Sequence, residues 1–179
     1  MANRSKDKGD RAEREALAWL KEHAGHLCDV PKPDRKKSAG IPEDIGDMHF
    51  VSGVAIQVKA WAPSRMGQAV REAAVGAAAQ ALNSGITEGI GMSLVHGARA
   101  GSVRWIASSM PQAWIGPDPV MTFGTISAAM KWLRDDKGPA GYLVYPRLDR
   151  VCLLQADGSA DVVLAPMESW VHAYSRVVA

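Results

Sequence analysis

Glu13, Asp47, Gln57 and Lys59 are the side chains whose types and spacing allow chemistry in common. Glu13 precedes Leu17 and Leu20 by four and seven residues, so it shares their helix face. A carboxylate on a core-facing stripe is costly unless something pairs with it. In V-A-I-Q-V-K-A, Val54, Ile56, Val58 and Ala60 alternate with Ala55, Gln57 and Lys59. The amide and the ammonium therefore share one face of an otherwise apolar strand, which predicts a polar site on an open side of a sheet. Upstream, P-E-D-I-G-D-M-H-F leads into Ser52-Gly53, which suits a tight turn. Pairing Val51 with Val54 puts Met48 opposite Gln57 and Asp47 opposite Val58, at the mouth of the hairpin; a slip of one residue exchanges faces. Asp44 stands three residues further out as a rival for the same place.

Such oxygen ligands suit Mg²⁺ or Mn²⁺. These ions activate water and steady an in-line displacement at phosphorus. Lys59 would then stabilise phosphoryl charge or orient the attacking water. At about 4 Å and an effective dielectric near 20, that attraction is of order 4 kcal/mol before desolvation. Each residue also has an ordinary use: Glu13 at the edge of its stripe, Gln57 and Lys59 on a solvated face, the aspartates in turns or caps.

A second group is basic. Lys32, Arg35, Lys36 and Lys37 fall in P-K-P-D-R-K-K-S-A-G, whose prolines and glycine make a loop. Such a loop is either merely solvated or contacts phosphates. Trp61 is next on the Gln57 and Lys59 face if the strand continues, where it either stacks on an unpaired base or plugs the core. His23, His26 and Cys28 form H-x-x-H-x-C, but a fourth zinc ligand at suitable spacing is missing. G-I-G-M-S-L and G-A-R-A-G-S lack the context of a phosphate-binding loop, and no nucleophile elbow is present.

The elements that must position these groups follow from periodicity. Residues 8–24 predict a helix with Ala12, Ala16, Leu17, Leu20 and Ala24 inward. A loop of about 20 residues follows, a length that in a small domain is often functional. After the hairpin comes an alanine-rich helix over 66–84, suited to close packing on a sheet. Strands are expected at 89–96 and 103–107, a short helix at 109–115 and a helix at 125–135. Short strands are expected at 142–145, 150–155 and 161–164, with Asp157-Gly158 as a turn and Pro166 opening a last helix. The order α-β-β-(β)-α-β with a β-rich tail indicates an α/β core.

The 179 residues, 47% hydrophobic and 22% charged, favour one domain and exclude a wholly disordered chain. The longest uncharged run, Ala73 to Thr87, is alanine-rich and contains Gln80 and Asn83, so no membrane association is expected. The charged start M-A-N-R-S-K-D-K-G-D lacks an apolar signal core, and two distant cysteines suit a reducing compartment; the expectation is cytoplasmic. The net charge of +2 does not by itself announce a nucleic-acid partner, but residues 1–115 carry 15 Lys and Arg against 12 Asp and Glu.

K-G-D-R-A-E-R at Lys8 to Arg14, then D-I-G-D, then a hairpin ending Q-V-K, resembles the PD-(D/E)XK nuclease superfamily. The opening K-G-x-x-x-E-R is most similar to archaeal-type and phage Holliday junction resolvases. The resemblance covers roughly residues 6–110. It implies a restriction-endonuclease-like αβββαβ core over 1–115, a mixed central sheet flanked by helices, with residues 116–179 as an α+β extension packed on it. It implies a Mg²⁺- or Mn²⁺-dependent endonuclease cutting branched DNA, in recombination or repair, as a homodimer whose two sites match a junction's two symmetric strands. Glu13 becomes a metal-associated carboxylate, Asp47 the central ligand with Asp44 its alternate, and Lys59 the signature lysine. Gln57 takes a place usually held by Glu or Asp, offering a carbonyl oxygen but one negative charge fewer. Ser38 is the nearest match to the loop serine some resolvases use. Lys8, Arg11, Lys32, Arg35, Lys36, Lys37, Ser38 and Trp61 are the expected DNA contacts. The same fold admits a duplex or single-strand nuclease, or a degenerate DNA-binding protein.

Overall fold

The structure, a computed structural model, describes residues 4–30, 34–35, 47–99, 102–135, 148–155 and 158–178. Its strands are β1 (Asp34–Arg35), β2 (Met48–His49), β3 (Val54–Lys59), β4 (Glu88–Leu94), β5 (Trp105–Ser109), β6 (Met121–Phe123), β7 (Cys152–Leu154) and β8 (Val162–Pro166). The helices among the described residues are α1 (Arg4–His23), α2 (Met66–Asn83), α3 (Ile126–Leu133) and α4 (Met167–Val178). All eight strands form one mixed sheet in the order β1-β2-β3-β4-β5-β8-β7-β6. β3 runs parallel to β4, and β6 to β7; the other neighbours are antiparallel. The fold is α/β, an open mixed sheet flanked by helices.

Parallel neighbours need a crossover, and α2 is the crossover between β3 and β4. It covers the face that carries Ala55 and Gln57. Two glycines let it settle: a Cβ on Gly89 would lie 2.5 Å from the Ala77 carbonyl oxygen, and one on Gly91 would lie 2.6 Å from Ala73. The alanine-rich sequence of α2 matches this close approach. α3, joining β6 to β7, lies on the same side, since Val70 and Ala74 share a cluster with Ala129, Leu133 and Ile106.

The other face of β3 meets α1. Ala12, Ala16 and Leu20 cluster with Ile56, Val58, Ile90, Met92 and Trp105, and α4 joins them through Met167, Trp170, Val171 and Tyr174. Both faces of β3 and β4 are thus buried, as a parallel pair requires.

Several expectations are modified. The Gln57 face is covered, and Gln57 is only 6% exposed. The short helix expected at 109–115 is a 3-10 turn, Pro111–Ala113. β1 and β6 are strands that periodicity did not single out, being two and three residues long. Pro166 ends β8, and α4 follows at once. The strand expected at 142–145 lies outside the described residues. Residues from 116 onward extend the same sheet, because β8 pairs directly with β5. Cys28 and Cys152 are both free thiols. Among the described residues, no helix is long and apolar enough to cross a membrane.

Candidate active site

β2 is two residues long, so the β2–β3 ladder stops short of the C-terminal half of β3. Met48 pairs with Ile56, one residue away from the register expected from a two-residue turn. The turn itself is the expected one: Val54 N–H bonds to the Val51 carbonyl at 3.3 Å, with Gly53 at a φ of +77°, in the left-handed region that glycine tolerates, so the one-residue shift arises between Val51 and Met48. Asp47 N–H then donates to the Ile56 carbonyl at 3.0 Å. The Asp47 carboxylate takes over where the ladder ends: its Oδ2 accepts the Val58 N–H at 2.7 Å and also the Gln57 Nε2–H.

Gln57 is held from both sides. Its Nε2 faces Asp47, and its Oε1 accepts from Nε2 of Gln80 on α2. A Cβ on Gly76 would lie 3.2 Å from Gln57 Oε1, so the absent side chain there makes room for the amide. The result is a chain of donors, Gln80 to Gln57 to Asp47, threaded between helix and strand. Gln80 is buried, and sequence periodicity did not select it. Its signal was an amide set within the alanine run Ala77 to Ala81.

Lys59 follows on the same face at the half-exposed end of β3 and pairs in register with Ser93 of β4. The Ser93 and Ser108 hydroxyls are buried with no hydrogen-bond partner among the described residues. Glu72 stands one helical turn before Gly76 on the stripe that carries Gly76 and Gln80. α2 runs back along β3, so Glu72 lies toward the Lys59 end. It is exposed, and its Oε1 accepts from Gln68 at 2.9 Å.

Glu13 is half-buried on α1, the helix that packs on the Ile56 and Val58 face. Gln57 and Lys59 point to the α2 face. The structure therefore brings Asp47 and Gln57 together with Lys59 beside them, while Glu13 belongs to the opposite layer. A meeting of Glu13 with Lys59 requires its side chain to reach past the end of β3. Asp44, Lys32, Lys36, Lys37 and Ser38 lie outside the described residues, and only the backbone of Arg35 is described, in β1. β3 stops before Trp61, whose ring lies under the Arg65 guanidinium at 3.9 Å from the ring centroid.

A hard cation needs several oxygens turned toward it. Asp47 supplies one carboxylate, but Gln57 turns its N–H toward that carboxylate and its oxygen away. Among the described residues, no group of three His, Cys, Asp or Glu side chains is gathered for a metal. Rotating the Gln57 amide by half a turn would present Oε1 to the Asp47 side. The H-x-x-H-x-C set is used otherwise: His23 Nδ1 lies 3.0 Å from the Trp19 carbonyl, and His26 Nε2 lies 2.8 Å from Ser175 Oγ.

Beyond Lys59, the C-terminal ends of β3 and β4 open into two adjoining clefts. In open α/β sheets this end of parallel strands is where ligands bind. One cleft, of about 520 Å³, is lined by Lys8, Arg11, Glu15, Ala60, His96 and Arg104 among others. Glu15 ties Arg11 at 2.9 Å and Arg104 at 3.0 Å. These two guanidinium groups, Arg11 foremost, hold the Glu15 carboxyl below its usual range against an opposing push from burial. The second cleft, of about 900 Å³, lies toward α3 and shares Pro63 and Leu94 to Gly97 with the first. Comparison with protein-family models, with curated proteins and with solved structures returns no match.

Proposed function

We propose that this chain is a divalent-metal-dependent endonuclease that hydrolyses phosphodiester bonds in branched DNA, a Holliday junction resolvase of the PD-(D/E)XK kind working as a homodimer. The observation that carries the reading is Asp47. Its carboxylate is fixed beside Gln57 at the open end of the hairpin, and the next residue on that strand face is Lys59. The element order α1-β1-β2-β3-α2-β4 supports it, since it follows the αβββαβ order of that superfamily. Lys8 and Arg11, expected to touch DNA, line a cleft at the same sheet end.

In this reading Asp47 holds the ion with Asp44 as a further carboxylate, and Glu13 joins them only by reaching past the end of β3 from the opposite layer. Mg²⁺ or Mn²⁺, when bound, supplies activated water and neutralises phosphoryl charge. Lys59 sets an ammonium against the non-bridging oxygens of the scissile phosphate. The buried amides of Gln57 and Gln80 fix Asp47, so its position costs no reorganisation when a phosphate arrives.

A second reading is favoured by one observation. Gln57 spends its N–H on Asp47 and its oxygen on Gln80, an arrangement complete without a cation. A degenerate, DNA-binding relative of the nucleases would look the same.

Cleavage of a synthetic four-way junction in Mg²⁺, set beside linear duplex, flap and single-strand substrates, separates them. The resolvase reading expects junction cutting by the wild type and a loss of at least about 100-fold in Lys59→Ala, the scale for removing one electrostatic donor. Equal cutting by both proteins removes Lys59 from the mechanism. Absence of cutting, with no Mn²⁺ uptake by calorimetry and junction affinity retained, establishes the second reading instead.

A further inference from the structure

The α3-side cleft has a charge pattern the active-site reading does not use. His96 and Arg99 reach it from the β4–β5 connection, and Lys131 and Arg134 from α3. No carboxylate is among its described lining residues. Ser127 and Lys131 of α3 and Arg134 just past its end stand at i, i+4 and i+7, one exposed stripe, while Ala129 and Leu133 on the other side are buried. α3 is held in place at both ends. Thr125 Oγ1 caps its start by accepting the Ala128 N–H at 3.3 Å. At its end, the buried Arg150 donates to the Trp132 carbonyl and, at 3.3 Å, to Asp135. That contact also engages Asp135, which follows the stripe, with a guanidinium already inside the fold. The floor, with Met66, Leu94, Val95, Ile126 and Met130, is apolar. Among the described lining residues there is no Phe, Tyr, Trp, Asn or Gln, the side chains that stack on bases or read adenine edges.

We infer that Arg99, Lys131 and Arg134 form a phosphate-binding track for the DNA backbone, continuous through His96 and Gly97 with the Lys8 and Arg11 cleft. The segment after residue 115 thereby acquires a role in binding, since it carries α3, which widens the basic edge of the sheet. The inference rests on the DNA-acting reading of the chain but not on catalysis. Contacts of this kind position a nucleic acid without reading its sequence. In a chain whose net charge is only +2, three cations with no carboxylate among the described lining residues are a local concentration rather than a general excess.

The test is fluorescence anisotropy of a labelled four-way junction over a salt series, with wild type, R99E/K131E/R134E and Lys59→Ala. Each lost phosphate contact should lower the slope of log affinity against log salt by about 0.9, so the triple variant is expected to lose about 2–3 in slope and to bind at least about 10-fold more weakly at low salt. Scrambling the junction's arm sequences is expected to change neither result. Lys59→Ala, which removes a single phosphate contact, is expected to lose no more than about 0.9 in slope, so the triple variant must exceed it. If circular dichroism shows that the charge-reversed protein fails to fold, R99Q/K131Q/R134Q is read by the same criterion. Unchanged affinity and slope, or a wild type that does not bind DNA, overturns the track. Loss of binding in the triple variant beside a wild type that cuts nothing keeps the track and removes the nuclease reading. Cutting by the wild type with unaltered binding by the triple variant does the reverse.

Discussion

Gln57 is the residue on which the site turns. An amide can donate and accept at once, so it bridges Gln80 and Asp47 inside the fold; a carboxylate could accept from Gln80 but would face Asp47 as a second anion. Gln57→Glu is therefore expected to destabilise the metal-free protein by about 1–3 kcal/mol, the scale of a buried group left without its partner. Mn²⁺ should restore the difference, because a cation between two carboxylates removes the repulsion. Urea unfolding with and without Mn²⁺ measures this, and a midpoint that ignores Mn²⁺ in the variant would argue against a cation site at Asp47. Glu15 offers a pH test. Its folded pKa lies below the unfolded value, so its contribution is present above the unfolded pKa and lost as pH falls through the folded one. Glu15 is 29% exposed and Arg11 is 78% exposed, so screening keeps the effect under about 1 kcal/mol. Glu15→Gln should be slightly less stable than wild type at pH 7, with the two unfolding curves converging as pH falls through the folded pKa of Glu15.

Among the elements, α2 and β4 approach closely at two glycines, Gly89 and Gly91. A methyl group on Gly89 would meet the Ala77 backbone, which cannot move aside as a flexible side chain could. Gly89→Ala is expected to lower stability by about 1–3 kcal/mol or more through overpacking. A methyl group on Gly9 in α1 would meet nothing within 4 Å, so Gly9→Ala is expected to raise stability by about 0.5–1 kcal/mol. Thermal unfolding of the two variants should move in opposite directions. The same contact explains why Gln57 is buried. A helix drawn down onto Gly89, Gly91 and the Gly76 gap closes over Gln57 and leaves only the Lys59 end of that face half-exposed.

For the whole molecule, the sheet continues from β5 to β8 without a break, and α4 shares a core with α1 through Trp105. A chain ending at residue 115 would uncover Trp105 and leave β5 as an unpaired edge. It is expected to lose cooperative unfolding and to bind a hydrophobic dye, whereas the full chain melts in one transition. A sharp melt of the 1–115 fragment would show that the second half is dispensable for folding. The basic clefts also belong to this scale, because they are assembled from α1, the β4–β5 connection and α3, which lie far apart in sequence.

The periods of Ala12, Ala16 and Leu20 and of Val54, Ile56 and Val58 determined α1, β3 and the face between them, because burial of one apolar side is a local property of spacing. The same spacing put Gln57 and Lys59 on one face, and D-M-H-F placed Asp47 at the hairpin mouth. The tertiary structure decided what covers that face. Whether β3 lies open or under a helix depends on its parallel pairing with β4, a contact that strand periodicity does not encode. It also decided the register, which slips by one residue between the Gly53 turn and Met48, and so gave Asp47 to Gln57 and the Val58 N–H. Gln80, Ser93 and the stripe of Lys131 and Arg134 acquired meaning only when separate elements were packed together, since charge and hydrogen bonding at a site depend on distances across the fold rather than along the chain.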